Sequence, residues 1–174
     1  MPVYLPIEQK ISTHVVPVSD VLEISLEIQV QRMGKQQATS AGSSAEKRRI
    51  TTDKRWVPPD IGKLKITVDG AFDESLGTAG AGVVIRDDKG NPMLLAWSKL
   101  FHCRDAEEAE AAACLDGVRL AARWPDNSMI LESDCATVVA KINDKGGDRS
   151  MIASLISDIK EDGRQLRDLV IRKI

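Results

Sequence analysis

Alternating apolar and polar residues predict a strand that leads into a carboxylate. Between Leu64 and Val68 every second residue is apolar, which is the period of a β-strand with one buried face. The run ends on Asp69, and Gly70 and Ala71 follow it. A carboxylate at the inner end of an apolar strand is costly unless another group compensates its charge. Asp69 is therefore the first candidate for a functional residue.

Two more apolar segments follow this strand and predict an antiparallel meander. Residues 79–87 and 92–100 are rich in branched and apolar side chains, and turn-forming sequences separate them from each other and from the first strand. Gly90, in the connecting sequence DDKGN, suits the position of a hairpin turn that needs a positive φ.

Helices and strands then alternate. Asp105 and Glu108 form an N-cap signal, and the small apolar residues that follow recur at helical spacing. Residues 128–134 predict a fourth strand, two helices come next, and residues 165–174 predict a fifth strand. The pattern predicts an α/β fold with a five-stranded mixed sheet, in which the fourth and fifth strands are parallel.

The first third of the chain differs from the rest. Residues 22–30 alternate strictly between apolar and polar and predict a strand of their own, whereas residues 35–49 are small and polar and predict a flexible linker. The predicted strand either joins an edge of the downstream sheet or belongs to another domain. We therefore divide the chain into an N-terminal extension, residues 1–54, and one compact domain, residues 55–174.

Composition narrows the classes of function. The net charge is −2, so the chain has no strong overall field for a polyanion, and attraction to nucleic acid must be local or metal-mediated. The three cysteines are scattered, which is typical of reduced thiols in an intracellular protein. No apolar run reaches the roughly 20 residues that span a bilayer, and the start does not resemble a signal peptide. We expect a soluble intracellular protein, with nucleus and cytoplasm unresolved.

Two further acids are placed to join Asp69. Glu110 shares the small-residue face of the first helix with Gly117, so it is expected to point at the sheet, and Asp134 ends the fourth strand. If the first and fourth strands are neighbours, these carboxylates converge, and a hard cation such as Mg²⁺ relieves their repulsion. Taken singly, Asp69 also fits a turn residue, Glu110 a solvated helix residue and Asp134 a helix cap.

The order of these blocks resembles a known family. The sequence WVPPDIGKLKITVDGAF resembles the opening of plant reverse-transcriptase-like ribonuclease H domains, which are relatives of retrotransposon sequences. The segments GAGVVIRDDKGNPMLLAWS, AEEAEAAACLDGVRLA and ILESDCATVVAKIN resemble the successive blocks of that family, in order and at matching spacing. The resemblance covers residues 55–174 and says nothing about residues 1–50.

The resemblance implies a ribonuclease H-like fold and hydrolysis of the RNA strand of an RNA–DNA hybrid. Asp69, Glu110 and Asp134 match the family's catalytic metal ligands, which hold two Mg²⁺ ions, with Mn²⁺ as a plausible substitute. Members of the family read the 2′-hydroxyl of RNA largely through backbone groups, so Gly70 and Ala71, beside Asp69, are candidates for this contact. The expected partner is an RNA–DNA hybrid or another nucleic acid, bound by a monomer, with no membrane involved.

The chain also departs from the family. The resemblance implies a fourth metal ligand and a covering helix after the fifth strand, but the sequence ends at Ile174. We therefore expect the domain to be C-terminally truncated. The only basic cluster, residues 47–55, reads as a solvated linker. We therefore expect weak cleavage. The alternative is a catalytically silent ribonuclease H-like module that binds nucleic acid or a partner, as a retroelement remnant.

Overall fold

Three helices pack on one face of a mixed β-sheet in the computed structural model, which describes Thr13–Val16 and residues 56–174. The elements in chain order are β1 (Thr13–Val16), β2 (Lys63–Asp73), β3 (Thr78–Arg86), β4 (Pro92–Leu100), α1 (Ala106–Ala121), β5 (Ser128–Ser133), α2 (Ala136–Asn143), α3 (Ala153–Gly163) and β6 (Asp168–Lys173). The strand order across the sheet is β1-β4-β3-β2-β5-β6.

The predicted five-stranded mixed sheet is confirmed. Strands β2, β3 and β4 form the antiparallel meander, while β5 runs parallel to β2 and β6 runs parallel to β5. A sixth strand, β1, adds to the β4 edge in antiparallel register and was not predicted. The predicted strand at residues 22–30 lies outside the described residues, so its location and the division of the chain at residue 55 stay predictions.

The prediction that the first strand of the domain ends at Asp69 is wrong. β2 continues to Asp73, because Asp69 pairs with Gly82 and the ladder runs on until Asp73 faces Thr78. Asp and Gly favour turns in isolation, but the partner strand supplies hydrogen bonds that keep this segment extended. Asp69 therefore lies within a paired strand and is followed by more sheet.

The small residues of α1 bring the helix close to the centre of the sheet. A Cβ atom at Gly117 would lie 2.8 Å from Val68 Cγ1 and 3.0 Å from Ile66 Cγ2, so no larger side chain fits there without a shift. The apolar side chains of β2, β5 and α1 share one core, which holds Ile66, Leu131 and Val118 almost entirely away from water. This contact holds the second half of α1 against the middle of β2.

Candidate metal site beside the central strands

Three carboxylates from three elements meet at the edge where β2 and β5 adjoin α1. Asp69 comes from β2, Glu110 from the first turns of α1, and Asp134 follows β5 directly. One ligand oxygen from each acid lies within 4.8 Å of the others. Residues separated by 41 and by 24 positions in the sequence thus form one cluster, because β2 and β5 are adjacent parallel strands and α1 crosses them.

Glu110 is the enclosed member of the cluster. The residue is 9% exposed, and its carboxylate accepts hydrogen bonds from the backbone N–H of Gly70 and from Ser133 Oγ, the latter at 3.5 Å. Burial raises the pKa of Glu110 above its ordinary value, and the negative charges of Asp134 and Asp69 add to the rise. The two hydrogen bonds oppose the rise without cancelling it.

Gly70 makes the position of Glu110 possible. A Cβ atom at residue 70 would lie 2.4 Å from both the carbonyl carbon of Ala109 and the backbone nitrogen of Glu110. Both neighbours are helix backbone and cannot rotate away, so only glycine allows α1 to approach β2 this closely. The same close approach lets the Gly70 N–H reach the Glu110 carboxylate.

Asp69 and Asp134 face solvent, so the expectation that the charge of Asp69 is costly at the inner end of an apolar strand is wrong. Both residues are exposed. Because Asp69 is not buried, it does not need a compensating charge for that reason. Asp134 is not the cap of α2 either, since the N-cap residue is Cys135 and no side chain caps that helix. Neither residue is the N-cap of a helix in the described part of the chain. It is the convergence of the three acids that indicates a cation site.

The donor set fits a hard divalent cation. Carboxylate oxygens are the ligands that Mg²⁺ and Mn²⁺ prefer, and clustered anions repel unless a cation lies between them. Within Thr13–Val16 and residues 56–174, no further His, Cys, Asp or Glu joins this group of three. The identity of the metal does not follow from this geometry.

Sequence reasoning missed the groups that support the cluster. Ser133 is fully buried, and its hydroxyl accepts from the Cys135 N–H at 3.1 Å while donating to Glu110. Lys65 of β2 and Glu132 of β5 are 2% and 3% exposed and form an ion pair. The sequence offered one signal for this pair, namely that residues of opposite charge occur on β2 and β5.

The two predicted substrate-binding residues differ in their surroundings. Gly70 packs against α1, as described above, and its N–H is engaged by Glu110. Ala71 is exposed and pairs with Gly80 of β3. A role for either residue in reading RNA stays a prediction.

In the described part of the chain, every helix is too short or too polar to cross a lipid bilayer.

Solved structures with the same fold include ribonucleases H. RNase H1 from the archaeon Halobacterium salinarum is 18% identical, with a TM-score of 0.57 over 65% of this chain and 86% of that protein. LC11-RNase H1, isolated from compost by a metagenomic approach and solved in complex with an RNA/DNA hybrid, is 23% identical, with a TM-score of 0.56 over 64% of this chain and 85% of its own. At these identities the likeness shows the fold alone.

A viral enzyme shares the fold as part of a longer chain. The foamy viral protease-reverse transcriptase, in complex with an RNA/DNA hybrid, is 15% identical, with a TM-score of 0.58 over 78% of this chain and 21% of the viral one. No curated protein matches the chain in sequence. The family model described as reverse transcriptase-like matches residues 67–168, which is more than half of the 174 residues and spans all three acids. The chain therefore belongs to the reverse transcriptase-like family and carries a ribonuclease H-like domain.

Proposed function

We propose that this domain is a divalent-metal-dependent endonuclease that hydrolyses the RNA strand of RNA–DNA hybrids, with weak activity. The observation that carries the proposal is the convergence of Asp69, Glu110 and Asp134, with one oxygen from each within 4.8 Å. Such a cluster has little structural value without a cation, because the three charges repel one another.

The chain's own residues would hold the ions and set their geometry. Asp69 and Asp134 present exposed carboxylates toward solvent, while Glu110 is held by the Gly70 N–H and Ser133 Oγ. Bound Mg²⁺, or Mn²⁺ in its place, would neutralise charge at the phosphate and make water a better nucleophile. The role of the protein is therefore to keep three oxygen donors close enough together for a cation to bind among them.

Support for the hybrid substrate comes from the fold. Two proteins that share it, LC11-RNase H1 and the foamy viral protease-reverse transcriptase, were solved in complex with an RNA/DNA hybrid. The backbone at Gly70 and Ala71, beside the cluster, is the proposed place where the 2′-hydroxyl is read. We further propose that residues 55–174 act as a monomeric domain of plant retrotransposon descent.

The test is cleavage of a labelled RNA–DNA hybrid in Mg²⁺, with Asp69→Asn as the inactivating variant. Loss of a ligand should lower the rate by more than about 100-fold, since even changes to groups that merely support ligands cost 10–100-fold. Asp158→Asn is the matched control, because Asp158 is exposed on α3 and lies outside the cluster. Equal rates for Asp69→Asn and Asp158→Asn would refute the proposal.

The second candidate is a module that binds nucleic acid without cutting it. It is favoured by the size of the cluster, which holds three acids among the described residues where the resemblance implies four ligands. Hybrid binding by both the wild-type chain and Asp69→Asn, with no Mg²⁺-dependent cleavage by either, would select this candidate.

A further inference from the structure

A buried ion pair lies beneath the acidic cluster. Lys65 Nζ is 2.9 Å from Glu132 Oε1, and the two side chains are 2% and 4% exposed. Every other ion pair in the described part of the chain has at least one partner that is 27% or more exposed. This pair is therefore the one that the fold encloses completely, and it joins β2 to β5.

The register of the two strands places the pair directly below two of the acids. Thr67 faces Glu132 in the parallel ladder, and the same register carried two residues further sets Asp69 opposite Asp134. Side chains alternate between faces with a period of two, so Lys65 shares the face of Asp69, and Glu132 that of Asp134. Two residues of strand, about 6.7 Å, separate Glu132 from Asp134 along β5.

The pair is locked from several sides. Lys65 Nζ donates to the carbonyl oxygen of Val57, and it lies 5.1 Å from the centre of the Trp56 ring. Arg172, from β6, donates through Nε and Nη2 to Glu132 Oε1 at 3.0 and 2.7 Å. Charged contacts on this face thus connect β2, β5 and β6 just below the edge that carries the cluster.

Stability alone does not account for this arrangement. A buried ion pair is often no more stabilising than a well-packed apolar pair of the same volume, because both charges lose their hydration. The pair adds a directional constraint that apolar packing lacks, because a hydrogen-bonded ion pair fixes the distance between two strands more narrowly than apolar contacts do. The two strands so fixed are β2, which contains Asp69, and β5, which Asp134 follows directly.

We propose that Lys65 and Glu132 are positioning residues for the acidic cluster. By holding β2 and β5 at one separation and register, they keep the carboxylates of Asp69 and Asp134 at ion-binding distance before the ion arrives. The inference rests on the proposed metal site. It holds that these two residues, which lie outside the site, raise its affinity for the metal ion by preorganising the carboxylate ligands.

The test replaces the pair by apolar residues in the double variant Lys65→Met/Glu132→Leu. The change leaves the net charge unaltered, and the half-exposed Arg172 can turn to water. Two readouts are taken: the Kd for Mn²⁺, measured by electron paramagnetic resonance, and amide hydrogen exchange of residues 68–70 in the ion-free protein. The matched control, Arg119→Met/Asp162→Leu, removes a surface pair between α1 and α3.

The proposal predicts a Kd for Mn²⁺ that rises by about tenfold or more. It also predicts faster exchange at residues 68–70, with the melting temperature unchanged or higher. The control pair should change neither readout. A Kd within twofold of the wild type together with unchanged exchange would overturn the proposal, as would faster exchange throughout the sheet, which is the mark of a general loss of stability.

Two further variants separate other causes. Arg172→Gln changes the charge near the cluster without removing the pair. If it alters the Kd more than the double variant does, the effect is electrostatic and the proposal fails. If the double variant does not fold, Glu132→Gln, which keeps the shape and one acceptor oxygen, is judged by the same readouts. If the wild-type chain binds no Mn²⁺, the proposed function fails, while the exchange result still decides the positioning role.

Discussion

Gly70→Ala probes the close approach of β2 to α1. The added Cβ would lie 2.4 Å from the backbone of Ala109 and Glu110, whereas ordinary contact begins near 3.4 Å, so α1 and β2 must separate by about 1 Å. Overpacking of this kind costs about 1–3 kcal/mol. The lower entropy of the unfolded chain with alanine returns about 0.4–1 kcal/mol. The expected net loss is about 1–2 kcal/mol.

Gly82→Ala is the matched control for this substitution. It lies on the neighbouring strand, and its Cβ would meet nothing closer than the Asp69 carbonyl oxygen at 3.8 Å. Thermal unfolding followed by circular dichroism should show Gly70→Ala melting about 3–10 °C lower and Gly82→Ala at or above the wild-type temperature. Because Glu110 moves with α1, cleavage by Gly70→Ala should also fall by about 100-fold. Equal melting temperatures for Gly70→Ala and Gly82→Ala would refute the reasoning.

Three more outcomes are expected. Glu110→Gln should stabilise the ion-free protein at pH 7, because the raised pKa of Glu110 means that its charged form destabilises the fold. The gain in stability should shrink as the pH falls toward the ordinary pKa of 4.5, and melting curves from pH 4 to 8 measure it. A gain that stays constant over this range would contradict the linkage. Ser98→Ala should lower the free energy of unfolding in urea by about 1–3 kcal/mol, since it removes the 2.8 Å hydrogen bond to the buried Asp116 carboxylate. A change below about 0.5 kcal/mol, which is typical of a surface substitution, would contradict this expectation. Mg²⁺ at about 100 times its Kd should stabilise the wild-type chain by about 2.7 kcal/mol and Asp134→Asn much less; equal stabilisation would place the ion elsewhere.

The fold was predictable because its signals are local and repeated. Alternation at residues 64–68 and apolar segments bounded by turn-forming sequences marked the strands. The N-cap at Asp105, whose carboxylate accepts from the Glu108 N–H at 2.8 Å, marked the start of α1. The four-residue strand β1 carries too few residues for a periodic signal, and its place beside β4 is decided by tertiary pairing. The extension of β2 beyond Asp69 likewise depends on its partner β3, which local propensity does not contain.

The sequence pattern identified the three acids of the candidate site, but it did not reveal their surroundings. The sequence placed Glu110 on the sheet-facing side of α1, and the structure buries it there. Alternation assigned Lys65 to a polar and hence solvent-facing position, yet it is 2% exposed, because Trp56 and Val57 cover that end of the sheet. Which polar strand positions are covered depends on segments outside the strand itself, so the periodicity of the strand cannot reveal it.

Diffraction from crystals soaked in Mn²⁺ tests the central claim most directly, because the anomalous signal locates the ion itself. The account predicts an anomalous peak among the carboxylates of Asp69, Glu110 and Asp134, lost in crystals of Asp134→Asn. A fully occupied Mn²⁺ elsewhere on the domain, with no peak among these three acids, would contradict it.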